Sequence, residues 1–244
     1  MTIALISALP EELAALDAVL HTTRTDTLAG RTLRFGRLGG EDVVLTLCGV
    51  GKVAAATTTA LLLDRFNVRA LLFTGVAGGL GAGVNVGDVV VGRSFLQHDM
   101  DASPLFPRWE VPLTGRSRFA SDDAWSQRLA EAARRVLRAP HAGLAQFGIT
   151  APRLHEGLII SGDRFVSSEA ECRRLKADLP DALAVEMEGA AIAQVCADFG
   201  RPFAVLRTIS DRADDAAHVD FPRFLREVAS EYSRDIVLAA LTGA

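Results

Sequence analysis

The stretch ALLFTGVAGG, residues 70–79, joins a short apolar run to a cluster of glycines. The apolar run, Ala70 to Thr74, predicts a buried strand, and the glycines after it allow the backbone to approach a ligand closely. On both sides of this stretch, similar apolar runs alternate along the chain with helical patterns. Strands that alternate with helices predict a three-layer α/β/α fold around a mixed, mainly parallel central sheet.

The other elements follow from the same patterns. We expect further strands at residues 3–7, 32–38, 43–48, 88–96, 158–161, 182–185 and 203–209. We expect helices at residues 10–20, 53–66, 122–137, 168–177, 187–199 and 221–241. Residues 98–121 carry three prolines and a weak pattern, which is typical of a long functional or interface loop.

Length and composition fit one folded domain. The chain has 244 residues, of which 49% are hydrophobic and 23% charged, enough for a large core and contrary to disorder. The sequence shows neither a repeat nor a domain boundary, so we predict a single domain over residues 1–244.

Charge, cysteine and histidine patterns exclude several classes of function. The net charge of −4, without a basic run, argues against a nucleic-acid partner. Three cysteines without CxxC spacing indicate reduced thiols, and the five scattered histidines predict no metal site. The apolar runs are shorter than the roughly 20 residues that cross a bilayer, and the N-terminus is not a signal peptide, so we expect a cytoplasmic protein without membrane contact.

The glycine cluster alone does not identify a cofactor. Residues 75–79 match neither the P-loop pattern nor GxGxxG, so an oxidoreductase that uses a dinucleotide is disfavoured and no cofactor is expected.

Polar residues follow several predicted strands, where ligands bind in open α/β sheets. These candidate positions are Glu12, residues 75–79, residues 161–166, residues 186–188, and Ser210 with Asp211. Each has a structural interpretation as well. Acids favour the first turn of a helix, which could explain Glu12, Glu186 and Glu188. Asp211 could cap the turn after it, and Phe165 could be a core residue.

Seven segments in order carry a resemblance to a known family. The chain resembles the 5′-methylthioadenosine/S-adenosylhomocysteine nucleosidases, part of the nucleoside phosphorylase superfamily, over nearly its whole length. The segments are IALISALPEE (3–12), GVGKVAA (49–55), TGVAGGL (74–80), VGDVVV (86–91), SGDRF (161–165), VEME (185–188) and RTISD (207–211).

The resemblance implies a role for each acidic residue. It implies that Glu12 activates the attacking water, that Asp211 delivers a proton to adenine N7, and that Glu188 binds the ribose hydroxyls. Ser210 is placed to orient Asp211. Because adenine leaves poorly as an anion and water is a weak nucleophile, an acid and a base are both required. Asp211 must then hold a proton near neutrality, which calls for burial or a nearby carboxylate.

The resemblance also implies the residues that contact the rest of the nucleoside. Met187 is expected to pack on the sugar, Phe165 to stack on adenine, and the backbone of Val166 to read the Watson–Crick edge of the base. Four more residues are expected in the substrate site, namely Leu9, Val76, Ala77 and Gly78.

A homodimer is also implied, in which the loop at residues 98–106 reaches the neighbour's site. Leu105 and Phe106 are alternatives for its aromatic contact with the 5′ group, and we favour Phe106. Two positions depart from the family pattern: Val76 stands where Ser is common, and Pro10 replaces a common Glu.

The nucleophile is predicted to be water rather than phosphate. Phosphorylases hold phosphate with Arg and Ser on the glycine loop, whereas this chain has FTGV at residues 73–76. A dianion there would be desolvated without compensation. Two alternatives stay open: a hydrolase of futalosine-type nucleosides, and a nucleoside-binding protein without activity.

Overall fold

A computed structural model of the chain describes residues 1–139, 142–212 and 221–243. Within them, ten strands form one sheet. The strands are β1 (Thr2–Ser7), β2 (His21–Leu28), β3 (Arg31–Leu38), β4 (Glu41–Leu47), β5 (Val68–Gly79), β6 (Val89–Gln97), β7 (Phe119–Ala120), β8 (Leu154–Ser161), β9 (Ala182–Glu186) and β10 (Phe203–Asp211). The helices are α1 (Pro10–Val19), α2 (Lys52–Arg65), α3 (Asp123–Val136), α4 (Ala142–Ala145), α5 (Glu169–Asp178), α6 (Gly189–Asp198), α7 (Phe221–Phe224) and α8 (Ser230–Thr242).

Helices cover both faces of the sheet, as the alternation of its side chains requires. On β1, Ile3 and Leu5 belong to the core packed by α1, α3 and α8, whereas Ala4 and Ile6 belong to the core that includes residues of α2 and α6. Strands buried on both faces read as continuous apolar runs, which is why the sequence located β1 and β5.

The sheet is mixed, and part of it closes on itself. The described strands run in the order β10-β6-β8-β9-β5-β1-β4-β3-β2, and β10 also pairs with β5, so that β5, β9, β8, β6 and β10 form a ring. An open three-layer sandwich has no such closure. The expected α/β fold with a mixed sheet is confirmed. Pairs β1–β4, β1–β5, β5–β10, β6–β8 and β8–β9 are parallel. Pairs β2–β3, β3–β4, β5–β9, β6–β7 and β6–β10 are all antiparallel.

Three elements differ from the sequence prediction. Strand β2 was not expected, because its sequence HTTRTDTL is polar and mostly exposed at the edge of the sheet. Strand β5 continues through the glycine cluster to Gly79 instead of ending at Thr74. Helix α6 begins at Gly189, two residues after the expected start, which leaves Met187 and Glu188 outside the helix.

The C-terminal helix lies close to its expected bounds, but it is not uniform. A π-helical turn, Leu225–Ala229, separates α7 from α8. Residues 98–121 form the expected loop, with the short strand β7 and an isolated bridge between Val111 and Arg116. All three cysteines, Cys48, Cys172 and Cys196, are free and buried.

Candidate active site

A cavity of about 360 Å³ lies where several of these strands end. Its lining includes eleven of the twelve residues that the sequence placed in the site: Leu9, Glu12, Val76, Ala77, Gly78, Phe165, Val166, Met187, Glu188, Ser210 and Asp211. Five further residues line it: Arg164 and Glu186, which lie in the candidate segments 161–166 and 186–188, and Ala8, Val50 and Val185, which were not predicted. Predicted residues as distant in the chain as Leu9 and Asp211 therefore line one shared cavity.

Glu12 is held by main-chain amides at the start of α1. Leu9, the residue before the helix, has no side chain that could cap it, and Glu12 Oε2 accepts hydrogen bonds from the amides of Ala8 and Leu9, both at 2.9 Å. Oε1 accepts a third from Val76 on β5, at 3.0 Å. Burial raises the pKa of Glu12, and the charge of Arg207 and these amides partly oppose that rise.

The two carboxylates of the VEME segment have different partners. Glu186 accepts hydrogen bonds from the amides of Glu188 and Gly189, so for Glu186 the interpretation as an acid at the start of a helix is correct. It also accepts from Ser161 Oγ. Glu188 instead accepts from the amide of Gly51 at 2.8 Å. Burial, followed by the charge of Glu186, raises the pKa of Glu188 to about 8.

Arg207, in the RTISD segment, is a buried cation for which the sequence predicted no role. It lies on β10 opposite Gly75 on β5, and only 1% of its surface is exposed. Its guanidinium donates a hydrogen bond to the carboxylate of Glu186 and lies 3.5 Å from that of Glu188. The guanidinium carbon also lies over the Phe73 ring, 3.8 Å from the ring centroid. Although burial opposes it, the charges of Glu186, Glu12 and Glu188 raise the pKa of Arg207.

Space for this arrangement comes from Gly75. A Cβ at Gly75 would overlap both Arg207 Nη1 and the carboxyl group of Glu12.

The signal that could have identified Arg207 is its position in a buried strand: a charged residue in an otherwise apolar run requires a partner of opposite charge. The charge of Arg207 is therefore already matched by carboxylates.

Asp211 is the last residue of β10 and is buried. The Ser210 hydroxyl donates a 2.8 Å hydrogen bond to Asp211 Oδ2. A register shift in the pairing of β10 with β5 occurs between Ile209 and Asp211. The alternative in which Asp211 caps the following turn involves residues 213–220, which lie outside the described residues.

The apolar lining is arranged around the carboxylates. Val166 is buried, Met187 is partly buried, and Phe165 is 44% exposed at the cavity. Phe165 is thus not a core residue, which was the alternative interpretation. Val76 and Ala77 on β5 add short side chains to the cavity wall.

Phe106 is the predicted site residue that does not line this cavity. It is partly buried within the loop after β6, and Leu105 next to it is 84% exposed. The sequence prediction placed Phe106 in the site of a neighbouring subunit, and a single chain does not bring it to its own cavity.

Neither a metal site nor a membrane span is found where the structure describes the chain. Within residues 1–139, 142–212 and 221–243, no group of three His, Cys, Asp or Glu side chains could hold a metal ion. Over the same ranges, none of the helices is both long and apolar enough to cross a membrane.

The fold and the carboxylate-lined cavity define a class of protein. A family model described as the phosphorylase superfamily matches residues 2–242. At the level of individual relatives, the chain is 37% identical to the 5′-methylthioadenosine/S-adenosylhomocysteine nucleosidase of Geobacillus thermodenitrificans, over 99% of this chain and 97% of that one. The chain belongs to the 5′-methylthioadenosine/S-adenosylhomocysteine nucleosidases of the phosphorylase superfamily, which are N-glycosyl hydrolases.

Solved structures agree with this relationship. The nucleosidase of Neisseria meningitidis in complex with methylthio-immucillin-A is similar with a TM-score of 0.86 and 36% identity, covering 100% of this chain and 99% of that one. Futalosine hydrolase of Helicobacter pylori has the same TM-score of 0.86 at 29% identity, covering 100% of this chain and 98% of that one. Overall shape therefore does not separate the two activities, whereas sequence identity favours the first.

Proposed function

We propose that this chain hydrolyses the N-glycosidic bond of 5′-methylthioadenosine and S-adenosylhomocysteine, releasing adenine and the 5′-thioribose. The observation that carries the proposal is that Glu12, Glu188 and Asp211, from distant parts of the chain, line one cavity. The relatives that share the chain's full length bear the corresponding name.

In the proposed reaction, Asp211 is the acid. Cleavage moves the electrons of the C–N bond toward the purine, and a proton at N7 allows adenine to leave as a neutral molecule. Ser210 donates to Oδ2 of Asp211, which fixes the orientation of the carboxyl group. A positioned acid of this kind contributes about 10²–10⁴-fold to the rate.

Glu12 is the proposed base and also a source of negative charge. The sugar becomes oxocarbenium-like as the base departs, as in other glycoside hydrolyses. A fixed carboxylate next to that cation stabilises the transition state, and it can take a proton from the attacking water. Three amides hold Glu12 in place, so this function requires no reorganisation.

The resemblance to the nucleosidases assigns the remaining contacts, and the residues concerned all line the cavity. Glu188 accepts hydrogen bonds from the ribose hydroxyls, with Met187 packed on the sugar. Phe165 stacks on the adenine ring, and the backbone of Val166 reads its Watson–Crick edge. Supporting this division, Glu188 lies beside the other carboxylates, whereas Phe165 offers an exposed ring to the cavity.

The active form in this proposal is a homodimer. Phe106 does not line the cavity of its own chain, and the exposed Leu105 beside it lies on the same loop. A second subunit that brings Phe106 to the 5′ end of the nucleoside would close the site. Light scattering tests the dimer, and a Phe106→Ala variant should raise KM for 5′-methylthioadenosine while adenine affinity stays unchanged.

Water is the proposed nucleophile because Arg207 is already engaged by carboxylates. A phosphate dianion beside Glu186, whose carboxylate pairs with Arg207, would meet like charge, which costs several kcal/mol in a buried site, on the order of the penalties for unpaired buried ions. Product analysis on 5′-methylthioadenosine with and without phosphate is the decisive experiment. We expect adenine and free methylthioribose in both cases; formation of a ribose 1-phosphate would contradict the proposal.

The similarity to futalosine hydrolase supports a second candidate function. A panel of nucleosides that varies the base and the 5′ group separates the two. Preference for adenine with a 5′-thio group supports the first proposal, and preference for a hypoxanthine base supports the second. Adenine release in a single turnover excludes the other alternative, a nucleoside-binding protein without activity.

A further inference from the structure

A closed set of polar contacts among Lys52, Asp99 and Asp163 joins the start of α2 to the loops that follow β6 and β8. Lys52 Nζ donates to Asp99 Oδ1 at 2.7 Å, the amide of Lys52 donates to Asp163 Oδ1 at 2.7 Å, and the amide of Asp163 donates to Asp99 Oδ2 at 2.9 Å. Each member therefore contacts the other two. We call these three residues the loop cluster.

The loop cluster connects strands that are not neighbours in the sheet. Asp99 follows β6 and Asp163 follows β8, and these two strands pair in parallel up to Gln97 and Ser161. Lys52 follows β4, which β9, β5 and β1 separate from β8 in the strand order. The cluster therefore fixes the distance between the start of α2 and the loops after β6 and β8, which strand pairing alone does not fix.

The contacts of the cluster bear directly on two parts of the cavity. Gly51, next to Lys52, donates its amide to Oε1 of Glu188 at 2.8 Å. Asp163 precedes Phe165 by two residues on the same loop, and Phe165 lines the cavity. Lys52 is thus adjacent to the residue that binds Glu188, the proposed ribose ligand. Asp163 is on the same loop as Phe165, the proposed stacking residue for the base.

The backbone geometry of Gly51 strengthens this connection. Gly51 has φ of 95°, in the left-handed region that favours glycine, and it supplies no side chain to cap helix α2. Two carboxylates from elsewhere in the chain accept the first amides instead, Glu188 from Gly51 and Asp163 from Lys52. A Cβ at Gly51 would lie 3.1 Å from Asp163 Oδ1, so the two loops are in close contact.

Lys52 is the most buried member of the cluster, whereas Asp99 and Asp163 are exposed. The Lys52 side chain is only 15% exposed and also donates to Gln97 Oε1 at 3.0 Å. An exposed ion pair by itself contributes little. Here, however, two of the three contacts are charge-assisted hydrogen bonds from main-chain amides, which are shorter and stronger than neutral ones.

We propose that Lys52, Asp99 and Asp163 are positioning residues that hold the Gly51–Glu188 contact and the Phe165 loop at the spacing of one bound nucleoside. The proposal rests on the proposed function for the identity of that nucleoside. Because Glu188 and Phe165, which the cluster positions, bind the nucleoside both before and during the proposed reaction, loss of the cluster should weaken binding more than turnover.

The test uses Lys52→Met, Asp163→Asn and the double variant, with Arg173→Met as a matched control. Arg173 forms an exposed ion pair of 2.8 Å with Glu169 on α5, away from the cavity lining. We expect each cluster variant to raise KM for 5′-methylthioadenosine about 10-fold while kcat changes less than about 3-fold, as for an interaction equal in ground and transition state. The double variant should be no worse than the more affected single variant, because neighbours in one network are not additive. The control should leave both constants unchanged.

Other outcomes are equally informative. Cluster variants that lower the melting temperature but keep the wild-type KM would show a helix cap without a positioning role, and additive losses in the double variant would contradict the closed network.

Hydrogen exchange at residues 49–52 and 162–166 is a readout that needs no substrate. If the wild type released no adenine, the proposed function would fail. Faster exchange at both segments in Lys52→Met would still support the cluster, and unchanged exchange would overturn it.

Discussion

The main-chain amide of Val76 donates a hydrogen bond of 3.0 Å to Oε1 of Glu12. Because this contact uses the backbone, it does not depend on whether Val or Ser occupies the position. Oε2 of the same carboxylate receives two further amides, from Ala8 and Leu9. The orientation of Glu12 is therefore set by the path of the chain through β1, α1 and β5, and the departure at Val76 leaves it intact.

Replacing Glu12 with Gln should remove most of the activity while the protein stays folded. A Gln side chain cannot accept a proton from water, and its NH₂ group would face main-chain donors on one side. We expect kcat to fall by at least about 10²-fold, the size of general-base assistance. Adenine release measures the rate, and circular dichroism of the variant checks the fold. Near-normal turnover would refute the role assigned to Glu12.

Replacing Gly75 with Ala should disturb Glu12 and Arg207 together, since the added Cβ would overlap both side chains. We expect a loss of stability of about 1–3 kcal/mol, as for other overpacked interiors, together with reduced turnover. Gly40→Ala is the control, because Gly40 has φ of 84° and open space around it. That change should cost about 1–2 kcal/mol through backbone strain alone and leave the rate unchanged. Urea unfolding and steady-state kinetics measure the two effects.

Removing the charge of Arg207 should strongly destabilise the protein. Arg207→Met leaves Glu186 and Glu188 buried without their cation, and we expect a loss of about 3–5 kcal/mol in the free energy of unfolding. Combining it with Glu186→Gln should restore part of the loss, because one of the uncompensated charges is then absent. A double variant less stable than the Arg207→Met single variant would contradict this account of the ion pair.

The raised pKa of Glu188 predicts a pH dependence of stability. Its folded value of about 8 lies above the ordinary value of 4.5, so the folded state binds the proton more tightly. The stability that this tighter proton binding contributes is fully present below pH 4.5 and is lost as the pH rises toward 8. Glu188→Gln mimics the protonated form at every pH. The free energy of unfolding of this variant, relative to that of the wild type, should therefore increase from about pH 5 to about pH 8. Urea unfolding at these two pH values measures the difference.

A control separates this effect from general surface electrostatics. Glu169, paired with Arg173 on the surface of α5, can be changed to Gln with the same loss of a formal charge. Its effect on stability should be small at both pH values. An equal pH dependence in the two variants would show that Glu188 is not the source. Glu188→Gln should also reduce the preference for ribosides over 2′-deoxyribosides.

Buried strands and glycine-rich turns made much of the fold predictable. The apolar runs of β1 and β5 located the centre of the sheet, and the segments after the strands located the cavity. Strand β2 was missed because an exposed edge strand has no apolar period to detect. The ring closure through β10 and β5 was missed because pairing between distant strands leaves no local pattern in the sequence.

The site was predictable only in part for a similar reason. The acids could be chosen because charged residues at the ends of apolar strands are conspicuous, and the resemblance assigned their roles. Only the resemblance distinguished Glu188 from Glu186, because the residues alone do not show which carboxylate turns toward α6 and which toward Gly51. The two carboxylates are two positions apart in the sequence whichever of them faces Gly51.

The burial of the three cysteines makes the native chain a favourable starting point for chemical labelling. Burial raises the pKa of the Cys48 thiol, with a further contribution from Glu188, and raises that of Cys196 to about 12. Alkylating reagents attack the thiolate, so the folded protein should react slowly and a single cysteine introduced at the surface should take up a fluorophore selectively. Conversely, the appearance of fast-reacting native thiols would report that the chain had opened.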